Sequence, residues 1–182
     1  AGGGCGATTI TLNLANELRL MSSEPVLTID LDTCYGTVSN YLGITGKYGI
    51  ADVLERKGLI DKHLIESSAY NYEENFYVLI SPAGIKDSNS RLLRYENLTK
   101  VVEACKKAFR YTVIDAPRVA QSVATDLAAV SKFTLIVFQL TVKDVKCARS
   151  LISFLCERGI PPGRIIPLAN RVKRQGPQIR LE

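Results

Sequence analysis

The sequence predicts an α/β fold with a doubly wound, mostly parallel sheet that is flanked by helices. Short apolar strands alternate with amphipathic helices along the chain, and this order is typical of parallel strands joined by helical crossovers. A glycine-rich stretch stands directly before the first helix. The 182 residues, 46% of them hydrophobic, suffice for one domain, 1–182, with a buried core.

Each element is predicted from its hydrophobic spacing. Ile10, Leu14 and Leu18 share one face of the first helix. The predicted strands are 25–31, 76–80, 111–115, 133–140 and 164–169. The further predicted helices are 50–56, 63–68, 97–109, 123–130 and 145–158. Residues 33–48 are rich in Thr, Tyr, Gly and Ser and are predicted to form a loop with at most one short turn.

Composition narrows the functional classes. No apolar run reaches the roughly 18 residues of a membrane-spanning helix, and the start lacks the pattern of a signal peptide. The five cysteines form no CxxC pair, so we expect free thiols, mostly buried, in a reducing compartment and no zinc. The net charge is +5, with a dense basic group at Arg171, Lys173, Arg174 and Arg180. This group is either a solvated surface or a patch for nucleic acid or anionic lipid.

The glycine-rich start has the composition of a phosphate-binding loop. Such a loop needs glycines because backbone N–H groups must turn inward around an anion. Gly2, Gly3, Gly4 and Gly6 precede Thr8 and an apolar helix, whose amino end would face the phosphates. A threonine at position 8 is suited to Mg²⁺ ligation. The glycines alone fit a linker or turn equally well.

Polar side chains end several predicted strands. Asp30 and Asp32 follow one strand, Asp115 ends another, and Asn170 follows the last. Ligands of doubly wound sheets bind at the carboxyl ends of the strands, so these four residues and the glycine loop are expected to form one site. For any one aspartate, capping a loop or helix is the alternative.

The order of these motifs resembles the MinD/ParA family of P-loop NTPases, whose deviant Walker loop reads Lys-Gly-Gly-x-Gly-Lys-Thr-Thr. Residues 3–9, GGCGATT, match this loop in frame. The two family lysines fall on Gly2 and Ala7, so both charges are lost. The strand expected before the loop does not precede Ala1. We therefore expect an excerpt of a longer protein, truncated at both ends, without the first strand and the C-terminal helices.

The resemblance implies a role for each site residue. Asp32 would orient the attacking water, and the metal site would comprise Thr8, Asp30 and Asp115. The implied nucleotide-binding residues are Gly3, Gly4, Cys5, Gly6, Ala7, Thr8, Thr9 and Asn170. Asn170 would contact adenine. The implied cofactors are ATP and Mg²⁺.

Further motifs resemble the CpaE/TadZ proteins of tight-adherence (Flp) pilus assembly: GIADVL at 49–54, DAPR at 115–118 and NRVKR at 170–174. This resemblance implies a homodimer that recruits pilus and secretion machinery. It also implies a cytoplasmic location, at the cell pole or the inner face of the membrane, with peripheral membrane contact and without nucleic acid.

The lost lysines predict that ATP is bound but hydrolysed slowly or not at all, because cationic groups stabilise the charge of the transition state. Arg118 either compensates or forms a surface or salt-bridge contact. Three alternatives stay open: an active ParA/MinD-type ATPase for positioning or partition, a DNA-associating module, and an iron–sulfur reductase. The reductase needs paired ligand cysteines.

Overall fold

The computed structural model describes residues 4–32, 35–46, 48–81, 94–117 and 119–172. The chain forms two compact units. One comprises Ala1–Ala7 with Ala120–Glu182, and the other comprises Thr8–Val119. Among the predicted site residues Gly3 lies outside the described residues, as do Gly2, Cys34, Arg118 and the basic residues beyond 172.

The unit Thr8–Val119 contains a four-stranded sheet in the order β2-β3-β1-β4. Its strands are β1 (Val26–Asp30), β2 (Tyr70–Glu73), β3 (Phe76–Leu79) and β4 (Tyr111–Asp115). The helices are α1 (Ala7–Ser22), α2 (Thr37–Leu42), α3 (Ile50–Leu54), α4 (Lys62–Ser68) and α5 (Leu98–Ala108). A 3-10 turn at Tyr95–Asn97 precedes α5.

Strand β1 is central because its neighbours cover both of its edges. It pairs in parallel with β3 and with β4, and all five of its residues are buried. Apolar side chains from α1, α2, β1, β3 and the residues just after α2 and β3 form one core cluster: Ala15, Val26, Val38, Ile44, Phe76, Val78 and Ile80. A strand buried on both faces is what its continuous apolar sequence predicts.

Two elements of this unit differ from the sequence prediction. Residues 37–42 form the helix α2 inside the predicted loop, between Gly36 and Gly43, which both have left-handed backbone conformations. Strand β2 pairs antiparallel with β3 and was not predicted. Its sequence is polar and largely exposed, so it lacks the alternating pattern of a half-buried strand. Asn75, with φ 57°, lies in the turn that reverses the chain.

The other unit contains a two-stranded parallel sheet of β5 (Thr134–Gln139) and β6 (Ile165–Asn170), with helices α6 (Gln121–Val130) and α7 (Val142–Glu157). Its core cluster includes Ile136, Phe138, Ala148 and Leu155. Helix α7 ends before Gly159, whose φ is 85°. A second 3-10 turn, Pro162–Arg164, leads into β6.

Arg164 links that turn to the end of α6. Its Nη2 atom donates hydrogen bonds to the carbonyls of Ala128 and Ala129 at 2.8 and 3.0 Å, and also to the carbonyl of Ser131. The last carbonyls of a helix have no partners within the helix and carry partial negative charge. The guanidinium therefore caps the carboxyl end of α6.

The four described cysteines are free. Cys5 and Cys105 are buried and Cys156 is half-buried, but Cys147 is exposed on α7, so burial holds for only part of the set. Burial raises the pKa of the Cys105 thiol to about 12. No described helix is long and apolar enough to span a bilayer.

Candidate functional site

Thr8 and Asp115 are in direct contact. Thr8 Oγ1 donates a hydrogen bond of 2.6 Å to Asp115 Oδ2, and the Asp115 side chain is almost completely buried. Thr8 is in the first turn of α1, while Asp115 ends β4. The structure therefore brings together two of the three predicted metal residues.

Asp30, the third predicted metal residue, is paired in register with Asp115 at the ends of β1 and β4. Its Oδ1 accepts the backbone N–H of Asp32 at 2.8 Å, and its Oδ2 accepts that of Val38 at 3.0 Å. The carboxylate thus organises the segment that leads into α2. Burial, together with the charges of Asp115 and Asp32, raises the pKa of Asp30 to about 7, against the opposing effect of the two N–H groups.

Asp32 is buried and also contacts the segment that follows it. Its carboxylate accepts a hydrogen bond from Thr37 Oγ1 and a longer one, 3.3 Å, from the backbone N–H of Tyr35. These bonds fix the start of α2. The role of Asp32 in orienting a water molecule stays a prediction.

The glycine-rich loop belongs to the other unit. Gly4 and Gly6 have φ values of 77° and 90°, in the left-handed region that favours glycine. Cys5 between them is buried. Helix α1 begins at Ala7, as the predicted loop-then-helix arrangement requires. Thr9 is exposed in the first turn of α1, and its carbonyl accepts a hydrogen bond from Asn13 Nδ2.

Asn170 and Gln139 contact this loop through their side-chain amides. Asn170 Nδ2 donates to the carbonyl of Cys5 at 2.8 Å, and Gln139 Nε2 donates to the carbonyl of Gly4 at 3.1 Å. The sequence identified Asn170 as an adenine contact but did not identify Gln139. Its signal was present, since Gln139 is a polar residue in an apolar strand, next to the strand's carboxyl end.

The residues around Asp115 suit a magnesium ion that takes most of its ligands from phosphates and water. The described residues contain no group of three or more His, Cys, Asp or Glu side chains arranged for a metal ion. Mg²⁺ typically retains several waters and uses only one or two protein carboxylates together with phosphate oxygens. The Thr8–Asp115 pair provides a hydroxyl and a carboxylate of this kind.

The family model described as AAA domain matches residues 1–157. The chain belongs to this family. Its relatives identify the MinD/ParA group of P-loop ATPases, as the phosphate-loop motif predicted. The septum site-determining protein MinD of Synechocystis sp. is 26% identical over 179 residues, which are 97% of this chain.

Solved structures of this group confirm the predicted fold class. A ParA family ATPase from Chlorobium tepidum TLS superposes with a TM-score of 0.82 at 21% identity, over 96% of this chain and 72% of that one. The MinD protein of Pyrococcus horikoshii OT3, complexed with Mg-ADP, gives 0.79 at 23% identity, over 99% of this chain and 71% of that one. The chain spans 64% of the Synechocystis relative, less than two thirds of its length.

Proposed function

We propose that this protein binds Mg-ATP and hydrolyses it slowly or not at all. The observation that carries the proposal is the Thr8–Asp115 hydrogen bond, which joins the threonine after a glycine-rich loop to the acid that ends β4. In this proposal the triphosphate binds the loop residues: Gly3, Gly4, Cys5, Gly6, Ala7, Thr8 and Thr9. Asn170 supports the same nucleotide site.

The metal belongs to the same proposal. A hydroxyl has one proton and two acceptor lone pairs. Thr8 uses its proton on Asp115, so its lone pairs remain available to a cation. Bound Mg²⁺ neutralises charge on the phosphate oxygens. Asp115 orients Thr8, and Asp30 holds the neighbouring segment beside the metal through its two backbone hydrogen bonds.

Slow hydrolysis follows from the composition of the loop. Residues 1–9 contain no lysine or arginine, so backbone N–H groups and Mg²⁺ must balance the triphosphate. That suffices for binding, but catalysis needs positive charge where negative charge develops. An arginine finger, the best measured cation of this type, contributes about 10³–10⁵ in rate. Asp32 would still orient a water molecule, but no lysine of the loop would add to the charge of Mg²⁺ in stabilising the transition state.

A protein that holds ATP without consuming it is suited to a scaffold. The motifs at 49–54, 115–118 and 170–174 support a role in Flp pilus assembly, with a homodimer that marks the assembly site in the cytoplasm. Residues 33–48 and 116–125 would form the dimer contacts. Loss of two lysines per subunit removes like charges from a nucleotide-free interface, so the dimer should depend little on ATP.

The second candidate is an active positioning ATPase. The similarity to a septum site-determining protein over nearly the whole chain favours this function. An active ATPase would associate with ATP and dissociate after hydrolysis, whereas a scaffold would not cycle.

Calorimetric titration of the full chain with Mg-ATP tests the binding proposal. We expect saturable binding that is weakened by Asp115→Ala. Wild-type protein without measurable affinity for ATP contradicts it. Sedimentation with and without Mg-ATP then separates the two functions. The scaffold predicts a dimer in both samples, and a dimer that forms only with ATP and dissociates as ATP is consumed supports the positioning ATPase.

A further inference from the structure

We propose that Asn170 and Gln139 are positioning residues for the phosphate loop. Their side-chain amides hold two successive loop carbonyls, those of Cys5 and Gly4. The loop N–H groups are thereby oriented toward the anion before it binds. This inference rests on the proposed function, because it assumes that the loop binds phosphate.

The two amides are side by side. Gln139 ends β5 and Asn170 ends β6, and they are Cα partners in the parallel pairing of these strands. They reach carbonyls that are also neighbours in the loop, at 3.1 Å for Gly4 and 2.8 Å for Cys5. The strand pairing therefore sets the spacing of both contacts, and the loop is fixed at two consecutive peptide units.

The orientation of the Asn170 amide is defined at both ends. Its Oδ1 accepts the backbone N–H of Arg171 at 2.8 Å, while Nδ2 donates to Cys5. An amide turned the other way would place oxygen against the Cys5 carbonyl and NH₂ against an N–H group. Only one orientation satisfies both partners. Arg171 has a φ of 55°, which ends β6 in a tight turn next to the amide.

The Asn170 contact leaves little room for a side chain at Gly6. A Cβ atom at position 6 would lie 2.3 Å from Asn170 Nδ2, closer than any non-bonded contact allows. At Gly4 a Cβ would meet nothing within 4 Å. Gly4 is thus favoured by its backbone conformation alone, whereas a side chain at Gly6 would also displace the Asn170 amide from its contact with the loop.

Holding the carbonyls decides where the N–H groups point. In a trans peptide unit the C=O of one residue and the N–H of the next point in opposite directions. No described peptide bond is cis. With the Gly4 and Cys5 carbonyls fixed against the strand ends, the N–H groups of Cys5 and Gly6 must face away from the strands. In a loop without lysine these N–H groups carry the attraction for phosphate.

The inference separates two roles for Asn170. If its amide reads adenine, removing it weakens ATP binding but leaves the binding of inorganic tripolyphosphate unchanged. If the amide positions the loop, removing it lowers the affinity for both ligands by the same factor. Gln139→Met should then have the same effect, since it also removes one donor to the loop.

Titrations of the full chain with Mg-ATP and with Mg-tripolyphosphate test this. We expect Asn170→Ala and Gln139→Met each to lower the affinity for both ligands about three- to tenfold, which corresponds to the loss of one hydrogen bond. Ser150→Met is the control, because it replaces an exposed, neutral polar side chain in the same unit and should change neither affinity. Loss of ATP affinity alone, or unchanged affinity for both ligands, overturns the inference.

Hydrogen exchange at saturating Mg-tripolyphosphate gives an independent readout. Bound phosphate should protect the amides of Cys5 and Gly6 in wild type and protect them less in both variants, while those of Ile136 and Val137 in β5 should exchange alike in all three proteins, which shows that the unit stays folded. Equal protection of Cys5 and Gly6 in wild type and variants overturns the inference even when affinity changes. If wild-type protein binds neither ligand, the proposed function fails, whereas binding with unchanged protection overturns this inference alone.

Discussion

Thr8 Oγ1 donates a hydrogen bond of 2.6 Å to Asp115 Oδ2, although 107 residues separate them in the chain. The bond connects the first turn of α1 to the end of β4. It consumes the hydroxyl proton and leaves the oxygen lone pairs for a cation. Thr8 therefore has a geometry that a magnesium ligand needs, and replacing it should affect the metal-dependent part of binding.

Thr8→Val removes the hydroxyl while keeping the shape of the side chain. We expect it to weaken ATP binding about tenfold or more with Mg²⁺, because hydrogen bonds to charged groups contribute about 1.5–3 kcal/mol. The difference from wild type should nearly vanish in EDTA. Thr8→Ser keeps the hydroxyl and is the control. Calorimetric titrations with and without Mg²⁺ measure both, and equal affinities of the Val variant and wild type with Mg²⁺ would refute the assignment.

Restoring the lysines should raise turnover stepwise. Ala7→Lys alone should increase ATP hydrolysis but not to the rate of an active partition ATPase, because the resemblance places a second lysine at Gly2. The double variant Gly2→Lys, Ala7→Lys should exceed either single variant. Phosphate release at saturating Mg-ATP measures the rates. Wild-type turnover equal to that of the double variant would show that another cation already acts, and Arg118→Ala would then identify it.

The raised pKa of Asp30 predicts that its contribution to the free energy of unfolding decreases as pH rises from about 4 to about 7. Its pKa is raised by burial from 3.8 to about 7, so the folded state keeps a proton that the unfolded state releases. The stabilisation is complete below the unfolded pKa and is lost as pH rises through the folded one, with a slope of at most about 1.4 kcal/mol per pH unit.

Urea unfolding of wild type and Asp30→Asn at several pH values measures this effect. The asparagine does not titrate, so the free energy of unfolding of wild type relative to the variant should fall as pH rises. Two parallel curves between pH 4 and pH 7 would mean that Asp30 does not titrate there.

Replacing Arg164 should lower the free energy of unfolding without changing nucleotide binding. Arg164→Met removes the donors to three carbonyls at the end of α6 and should lower the free energy of unfolding by about 1–3 kcal/mol. Lys143→Met, at an exposed position of α7, should change it by less than about 0.5 kcal/mol. Chemical unfolding measures the free energy of unfolding of both variants. Equal values for the two would exclude the capping role of Arg164.

The fold was largely predictable because most of its strands are rich in apolar residues. Strands β1 and β5 consist mainly of apolar residues, and helices α1 and α5 have one apolar face. Strand β2 was missed because its polar sequence is stabilised by pairing with β3, and helix α2 because its start depends on hydrogen bonds that the Asp30 and Asp32 carboxylates accept. Contacts of these kinds leave no periodic signal in the sequence.

The sequence indicated which residues lie at the strand ends, but not which contacts each of them makes. The strand-end position indicated Asp30, but its two backbone hydrogen bonds could not be read from the sequence. Likewise the resemblance implied that Asn170 contacts adenine, which stays a prediction, whereas the contact that the structure describes is with the Cys5 carbonyl. Gln139 is recognisable as a polar residue in an apolar strand, but its contact with the Gly4 carbonyl depends on neighbours brought together by folding.

The central claim is that this loop holds ATP without consuming it. The most direct test is to identify the nucleotide that stays bound to the protein. Wild-type full chain is incubated with Mg²⁺ and radiolabelled ATP, separated from free nucleotide at intervals, and denatured so that the bound label can be identified. The account predicts that the protein retains label, and that it is recovered as ATP after hours. A protein that retains no label, or whose label is recovered as ADP within minutes, would contradict it.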